Sequence, residues 1–168
     1  MQHPLEGLET KGTARLLHLC LPNSSLLMGE VSENQVLDKV LNPSKNSILL
    51  YPSTPEDHSL GIAAPPLLNP EVLKDLKNIC LIVIDGTWRK SRKILIKNPY
   101  LQTLPRLVLN DLPIGQYSIR KTRKPHQLST LEATCAALAQ LESHSEKYKP
   151  LNDVFLAFNV MITLQIMH

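Results

Sequence analysis

Ile79-Cys80-Leu81-Ile82-Val83-Ile84-Asp85-Gly86-Thr87-Trp88 is the stretch on which the fold turns. Six apolar residues run without a polar interruption. A strand of that composition is expected to be covered on both faces, as the central strand of a parallel sheet is. Asp85 and Gly86 end the run, and Thr87 stands where a helix N-cap belongs. The basic segment Thr87–Lys97 then reads as a helix. Strand followed by helix is the half-unit of an α/β fold, and ligands in such folds gather beyond the carboxyl ends of the strands.

The pattern extends in both directions. Ser25–Met28 reads as a first strand stopped by Gly29. Ser32 and Gln35 have the spacing of a capping box, which predicts a helix from Ser32 to Leu41 with Val36, Leu37 and Val40 on its apolar face. Ile48–Tyr51 is a short strand closed by Pro52, and Ser53–Pro66 is a proline-rich loop. Pro70 fits the first turn of a helix to about Lys77. Beyond the central stretch, Leu107–Leu109 and Tyr117–Arg120 read as strands. Ser129–Lys147 reads as a helix with Leu131, Thr134, Cys135, Leu138 and Leu141 inward. Leu151–Met167 reads as a last helix with Val154, Phe155, Phe158 and Ile162 inward. The expected architecture is one α/β domain across residues 1–168, with a mainly parallel central sheet flanked by helices.

Composition narrows the function classes. The 168 residues suffice for one hydrophobic core, and 13 prolines predict sharply bounded elements. Cys20, Cys80 and Cys135 are dispersed and odd in number, which disfavours a disulfide framework or a structural zinc site and points to a reducing, cytoplasmic setting. The six histidines lack ligand spacing, so no metal is expected. Met1–Thr10 is polar and does not read as a signal peptide, and no apolar run is long enough to span a bilayer. Net charge is only +3, but Arg89, Lys90, Arg92, Lys93 and Lys97 fall in one window and Arg120, Lys121, Arg123 and Lys124 in another. P-loop, dinucleotide-fold and nucleophile-elbow motifs are missing, and aromatics are too few for a stacking-platform RNA binder.

Three segments can carry chemistry. In Asp85-Gly86-Thr87-Trp88, the acid sits at the end of an apolar strand, where desolvation raises a carboxyl pKa. Gly86 lets backbone approach a ligand. Asp85 and Thr87 serve equally well as plain helix caps with Trp88 in the core. The position of the chain's one tryptophan, directly before five basic residues in nine, weighs toward a site. In Arg120–Ala133, a basic loop leads to Ser129 and Glu132 at capping-box spacing, so arginines and helix-start amides can hold one anion. Leu50-Tyr51-Pro52-Ser53 is a strand end able to line a pocket.

Together these segments resemble the DTW-domain family, whose members carry Asp-x-Thr-Trp after a hydrophobic strand and Leu-Ser-Thr-x-Glu-Ala at a later helix start. Here these are Asp85–Trp88 and Leu128–Ala133. Gly12-Thr13-Ala14-Arg15-Leu16 resembles the family's Thr-Gly-Arg-Leu element with its first two residues exchanged and Ala14 inserted. Leu49–Pro52 and Tyr117–Arg120 resemble two further strand ends. The resemblance spans about Lys11 to Phe158. It implies a SPOUT-like fold with a C-terminal trefoil knot, an exception to normal chain topology. It also implies a tRNA-uridine aminocarboxypropyltransferase that moves the 3-amino-3-carboxypropyl group of S-adenosylmethionine to uridine N3 and releases methylthioadenosine.

On that resemblance the catalytic set is Asp85, Thr87 and Trp88, with Asp85 as general base or orienting acceptor for the uridine N–H. The donor-binding set is Leu50, Tyr51, Pro52, Ser53, Gly86, Ser118, Arg120, Leu128, Ser129, Thr130 and Glu132. The phosphate-gripping set is Arg89, Lys90, Arg92, Lys93, Arg123 and Lys124. The implied partner is tRNA, with monomer and homodimer both open. Two other readings are a SPOUT-like RNA methyltransferase, which differs in the carbon facing the nucleophile, and a non-catalytic RNA-binding domain that keeps the fold.

Overall fold

A computed structural model describes residues 1–7, 13–30, 45–52, 54–110 and 128–166. The chain divides into two compact units, Met1–Val108 and Leu109–His168. The expected helix Ser32–Leu41 and strand Tyr117–Arg120 lie outside the described residues.

The first unit is α/β. Its described strands are β1 (Asn46–Leu50), β2 (Ile79–Val83) and β3 (Arg106–Leu107), all parallel, in the order β2-β1-β3. The register pairs Leu49 with both Ile82 and Arg106, and Leu50 with both Val83 and Leu107. This corrects the expectation for the apolar run. Among the described strands β1 is central, with Ile48 and Leu49 fully buried, whereas β2 is an outer one and each of its residues is half-buried. An uninterrupted apolar run reports a strand's composition, not its rank in the sheet, and β1, of equal length, takes the centre of the described strands.

The described helices in this unit are α1 (Pro4–Gly7), α2 (Thr13–Cys20), α3 (Trp88–Lys97) and the single turn α4 (Pro99–Gln102). Side chains alternate across a strand, so Leu49 and Tyr51 share a sheet face with their neighbours Ile82 and Ile84. That face joins Ile94 and Leu95 of α3, Leu101 of α4, Ile62 and Leu104 in one buried cluster. Ser91, Ile94 and Leu95 form the inward stripe of α3, while Arg89, Lys93 and Lys97 face out.

Other expectations shift. Ser25–Met28 forms no strand; Met28 makes only a parallel bridge to Gln2, which also bridges Asp85. The predicted helix after Asn69 is two 3-10 turns, Pro70–Lys74 and Leu76–Asn78, separated at Asp75, whose backbone is non-helical. β3 begins one residue before Leu107 and ends there. The long loop after Pro52 holds one 3-10 turn, His58–Leu60, closed by Gly61 at φ 70°, a left-handed conformation that glycine adopts without penalty.

The second unit contains α5 (Thr130–Glu142) and α6 (Lys149–Ile166), which touch each other. α5 ends earlier than expected because Ser143 turns left-handed and its N–H returns to the Ala139 and Gln140 carbonyls. In α6, Phe155 is buried but Val154 and Phe158 are exposed, against expectation.

Candidate active site

β2 hands over to the DTW tetrapeptide at the carboxyl edge of the sheet. Asp85 is 5% exposed, and its Oδ2 accepts a hydrogen bond from the Gln2 side-chain amide at 3.0 Å. The backbone is tied to the same segment: the Asp85 N–H donates to the Met1 carbonyl (2.8 Å), and the His3 N–H donates to the Asp85 carbonyl (3.1 Å). At Gly86 a Cβ would lie 3.1 Å from the Lys90 Cβ, so a side chain there would crowd α3. Thr87 is the N-cap of α3, its hydroxyl accepting from the Lys90 N–H. Trp88, the first residue of α3, is 46% exposed and therefore is not the core residue that a purely structural role would need.

Trp88 meets the second strand end edge-on. Its ring centroid lies 5.9 Å from that of Tyr51, with planes at 75°, the T-shaped arrangement aromatic pairs favour. Tyr51 follows β1 directly and is buried, and burial pushes its phenol up, so it is a neutral hydroxyl at neutral pH. Leu50 is half-buried and Pro52 exposed. The Arg106 guanidinium stands over the Tyr51 ring, 5.4 Å from its centroid. Arg106 also pairs with Asp57 (Nη1 to Oδ2, 2.8 Å) and donates to the Pro52 carbonyl (3.4 Å). The Thr54 hydroxyl donates to the other Asp57 oxygen at 2.6 Å. Burial alone would push Asp57 up, but the hydrogen bonds from Thr54 and Arg106 outweigh it and hold the carboxyl below its usual range. Sequence reasoning missed Asp57 and Arg106. Asp57 sat in what read as plain loop, and Arg106 stood just ahead of a predicted strand; an arginine between Pro105 and the apolar Leu107–Leu109 was the available signal.

The outward face of α3 is basic, as expected, but mostly ion-paired. Lys90 pairs with Glu6 (2.8 Å) and Arg92 with Glu56 (3.2 Å); Lys93 and Lys97 both pair with Glu30 (2.8 and 2.6 Å). The His3 ring also lies 2.7 Å from Glu30. Hydrogen bonds from Lys93 and then Lys97 lower the Glu30 carboxyl to about 2. Arg89 is exposed and has no ion pair among the described residues. Glu6, Glu30 and Glu56 had not been read as partners of this helix, because they are distant in sequence.

In the second unit Ser129 caps α5. Its hydroxyl accepts from the Glu132 N–H (3.2 Å), and the Glu132 carboxylate accepts from the Ser129 N–H (2.7 Å). The capping box expected from the sequence is thus formed. Leu128 and Thr130 flank it, both half-buried. Ser53, Ser118, Arg120, Arg123 and Lys124 lie outside the described residues. Among the described residues no group of His, Cys, Asp and Glu could hold a metal, and no helix is long and apolar enough to cross a membrane.

Residues 1–164 match the DTW domain. The chain belongs to the DTW-domain family. Among curated relatives, this DTW chain is 30% identical over 158 residues to tRNA-uridine aminocarboxypropyltransferase 2 of Drosophila melanogaster, covering 87% of the chain and 56% of that protein. It is 27% identical over 149 residues to the mouse (Mus musculus) protein of the same name, covering 86% of the chain and 47% of that protein. The Macaca fascicularis protein of that name is 29% identical over 150 residues, with 86% and 47% covered. The chain spans about half the length of the curated relatives it matches. No solved structure matches it.

Proposed function

We propose that this DTW chain is a tRNA-uridine aminocarboxypropyltransferase that uses S-adenosylmethionine as donor substrate. The observation that carries the reading is the DTW tetrapeptide at the carboxyl end of a parallel strand, beside the strand end that presents Tyr51, in a chain matched to the DTW domain almost throughout. The relatives' names supply the reaction class.

Uridine N3 loses its proton and attacks the donor's side-chain carbon next to the sulfonium. The carbon–sulfur bond breaks, its electron pair stays on sulfur, and neutral methylthioadenosine leaves. A sulfonium is already a good leaving group, so the protein contributes mainly alignment. A buried carboxylate beside an exposed aromatic suits that role. Asp85 orients the uridine N–H or accepts its proton, and Trp88 stacks on the base. Thr87 and Gly86 bring α3 amides to the same edge. Leu50, Tyr51, Pro52 and Ser53 line the donor side, with Ser118, Arg120, Leu128, Ser129, Thr130 and Glu132 holding the donor's carboxylate end. Arg89 is the first cation of α3 to meet phosphate, joined by Lys90, Arg92, Lys93, Arg123 and Lys124 as RNA competes with the glutamate partners. The same reading makes residues 1–168 one DTW domain with its core from about 11 to 160, SPOUT-like with a C-terminal trefoil knot, acting in the cytoplasm as monomer or homodimer.

The test is incubation of the protein with S-adenosylmethionine and unmodified tRNA, followed by mass spectrometry of nucleosides and small molecules. Aminocarboxypropyluridine with equimolar methylthioadenosine is expected. S-adenosylhomocysteine with a methylated nucleoside would make the protein a methyltransferase instead. Bound tRNA with neither product would leave only an RNA-binding domain.

A further inference from the structure

We propose that Gln2 is a positioning residue for the reaction: its side-chain amide sets the orientation of the Asp85 carboxylate toward the uridine. The inference rests on the reading of Asp85 as a group that faces substrate.

Gln2 is 2% exposed, so its amide can be satisfied only within the protein. Nε2 donates to Asp85 Oδ2 at 3.0 Å. The Gln2 backbone is held from the side away from Asp85: its N–H donates to the Leu27 carbonyl (2.7 Å), and its carbonyl accepts from the Gly29 N–H (3.0 Å). On the other side, Met1 and His3 exchange backbone hydrogen bonds with Asp85 itself. Gln2 therefore lies clamped between residues 27–29 and the end of β2, and its side chain reaches Asp85 from a fixed base.

The chemistry of the donor matters. A carboxylate at a strand end can rotate about its Cβ–Cγ bond, and a hydrogen bond to one oxygen stops that rotation. A lysine or arginine in the same place would also cancel the charge that must act on the substrate. A carboxamide fixes the geometry without adding a charge of its own. The arrangement is that of a group supporting an acting residue through a buried hydrogen bond.

The test compares Gln2→Met, which keeps length and bulk but removes the donor, with Gln2→Glu, which keeps shape and replaces donor by acceptor. Each is measured alone and combined with Asp85→Ala, with donor binding followed by calorimetry as a check on folding. The expected result is a kcat lower by about 10- to 100-fold in both single variants, the range a small misalignment costs. The KM values for donor and tRNA should stay within about threefold of wild type, and neither Gln2 change should have a further effect on the residual rate of Asp85→Ala. Wild-type kcat in Gln2→Met overturns the inference, as does a loss that adds to that of Asp85→Ala. If Gln2→Met fails to bind donor, Gln2→Glu decides alone: wild-type kcat refutes the role. Full activity of Asp85→Ala is a different outcome, which refutes the reading of Asp85 itself.

Discussion

Replacing Asp57 by alanine should cost this fold much of its stability. The Arg106 side chain is 1% exposed and the Asp57 side chain 11%, so the mutation takes a carboxylate from beside a buried guanidinium. Breaking a buried pair from one side costs about 3–5 kcal/mol. Whole domains are stable by only about 5–15 kcal/mol. With a urea dependence of about 2 kcal/mol per molar, a loss near 4 kcal/mol lowers the unfolding midpoint by about 2 M. Asp57→Asn should fall between. Asp57 offers one oxygen to Thr54 and the other to Arg106, and an asparagine has only one oxygen to offer. Losing a hydrogen bond to a charged group costs about 1.5–3 kcal/mol. The acid side follows from linkage. Thr54 and Arg106 hold the folded Asp57 carboxyl below its unfolded value, so the pair stabilises fully above that value, near about 4, and its contribution fades as pH falls through the depressed folded one. Urea titrations of wild type, Asp57→Ala and Asp57→Asn give all three midpoints. A midpoint for Asp57→Ala within about 0.5 M of wild type would refute the claim that the buried pair stabilises the fold.

Trp88→Ala should leave the urea midpoint nearly unchanged, because the ring is half exposed, while tRNA affinity drops about tenfold, the size of one lost base–aromatic stack; unchanged affinity in a binding titration would remove Trp88 from the RNA site. Ser129→Ala removes one arm of a capping box and should destabilise by about 1 kcal/mol, with faster amide exchange in the first turn of α5; unaltered exchange there would mean the box does not hold the helix start. Glu30 should titrate near 2 by carboxyl NMR, since Lys93 and Lys97 lower it from 4.5; its contribution is then complete above 4.5 and lost as pH falls through about 2. An ordinary midpoint near 4.5 would show that the two lysines do not engage it in solution.

The features legible in the sequence were local ones. The Thr87 cap and the Ser129–Glu132 capping box each depend on residues within three positions of one another, and each formed as read. Pairings across the chain were not legible. Nothing in the spacing of Glu6, Glu30 and Glu56 reveals that they neutralise one helix face, and nothing ties Asp57 to Arg106 or Gln2 to Asp85. Strand rank failed for the same reason. Apolar content marks a strand, but which strand is central depends on the connections between strands. The tetrapeptide was informative because a charged residue, a glycine and a large aromatic in sequence are hard to reconcile with packing alone.

The pairing of Gln2 with Asp85 spans 83 residues, which has a consequence for the order of events during folding. A ribosome adding about 5–20 residues per second takes roughly 4–17 s to cover that separation. Helices and turns form in microseconds or less. Through that interval the segment Met1–His3 can meet residues 27–29 but not the end of β2, and the groups that face β2 stay open to solvent or to chaperones. The carboxylate that the DTW motif presents is therefore among the later parts of the first unit to find its partner. Slowing translation after the Asp85 codon, by giving the segment time to close, should raise the yield of active protein more than slowing it before.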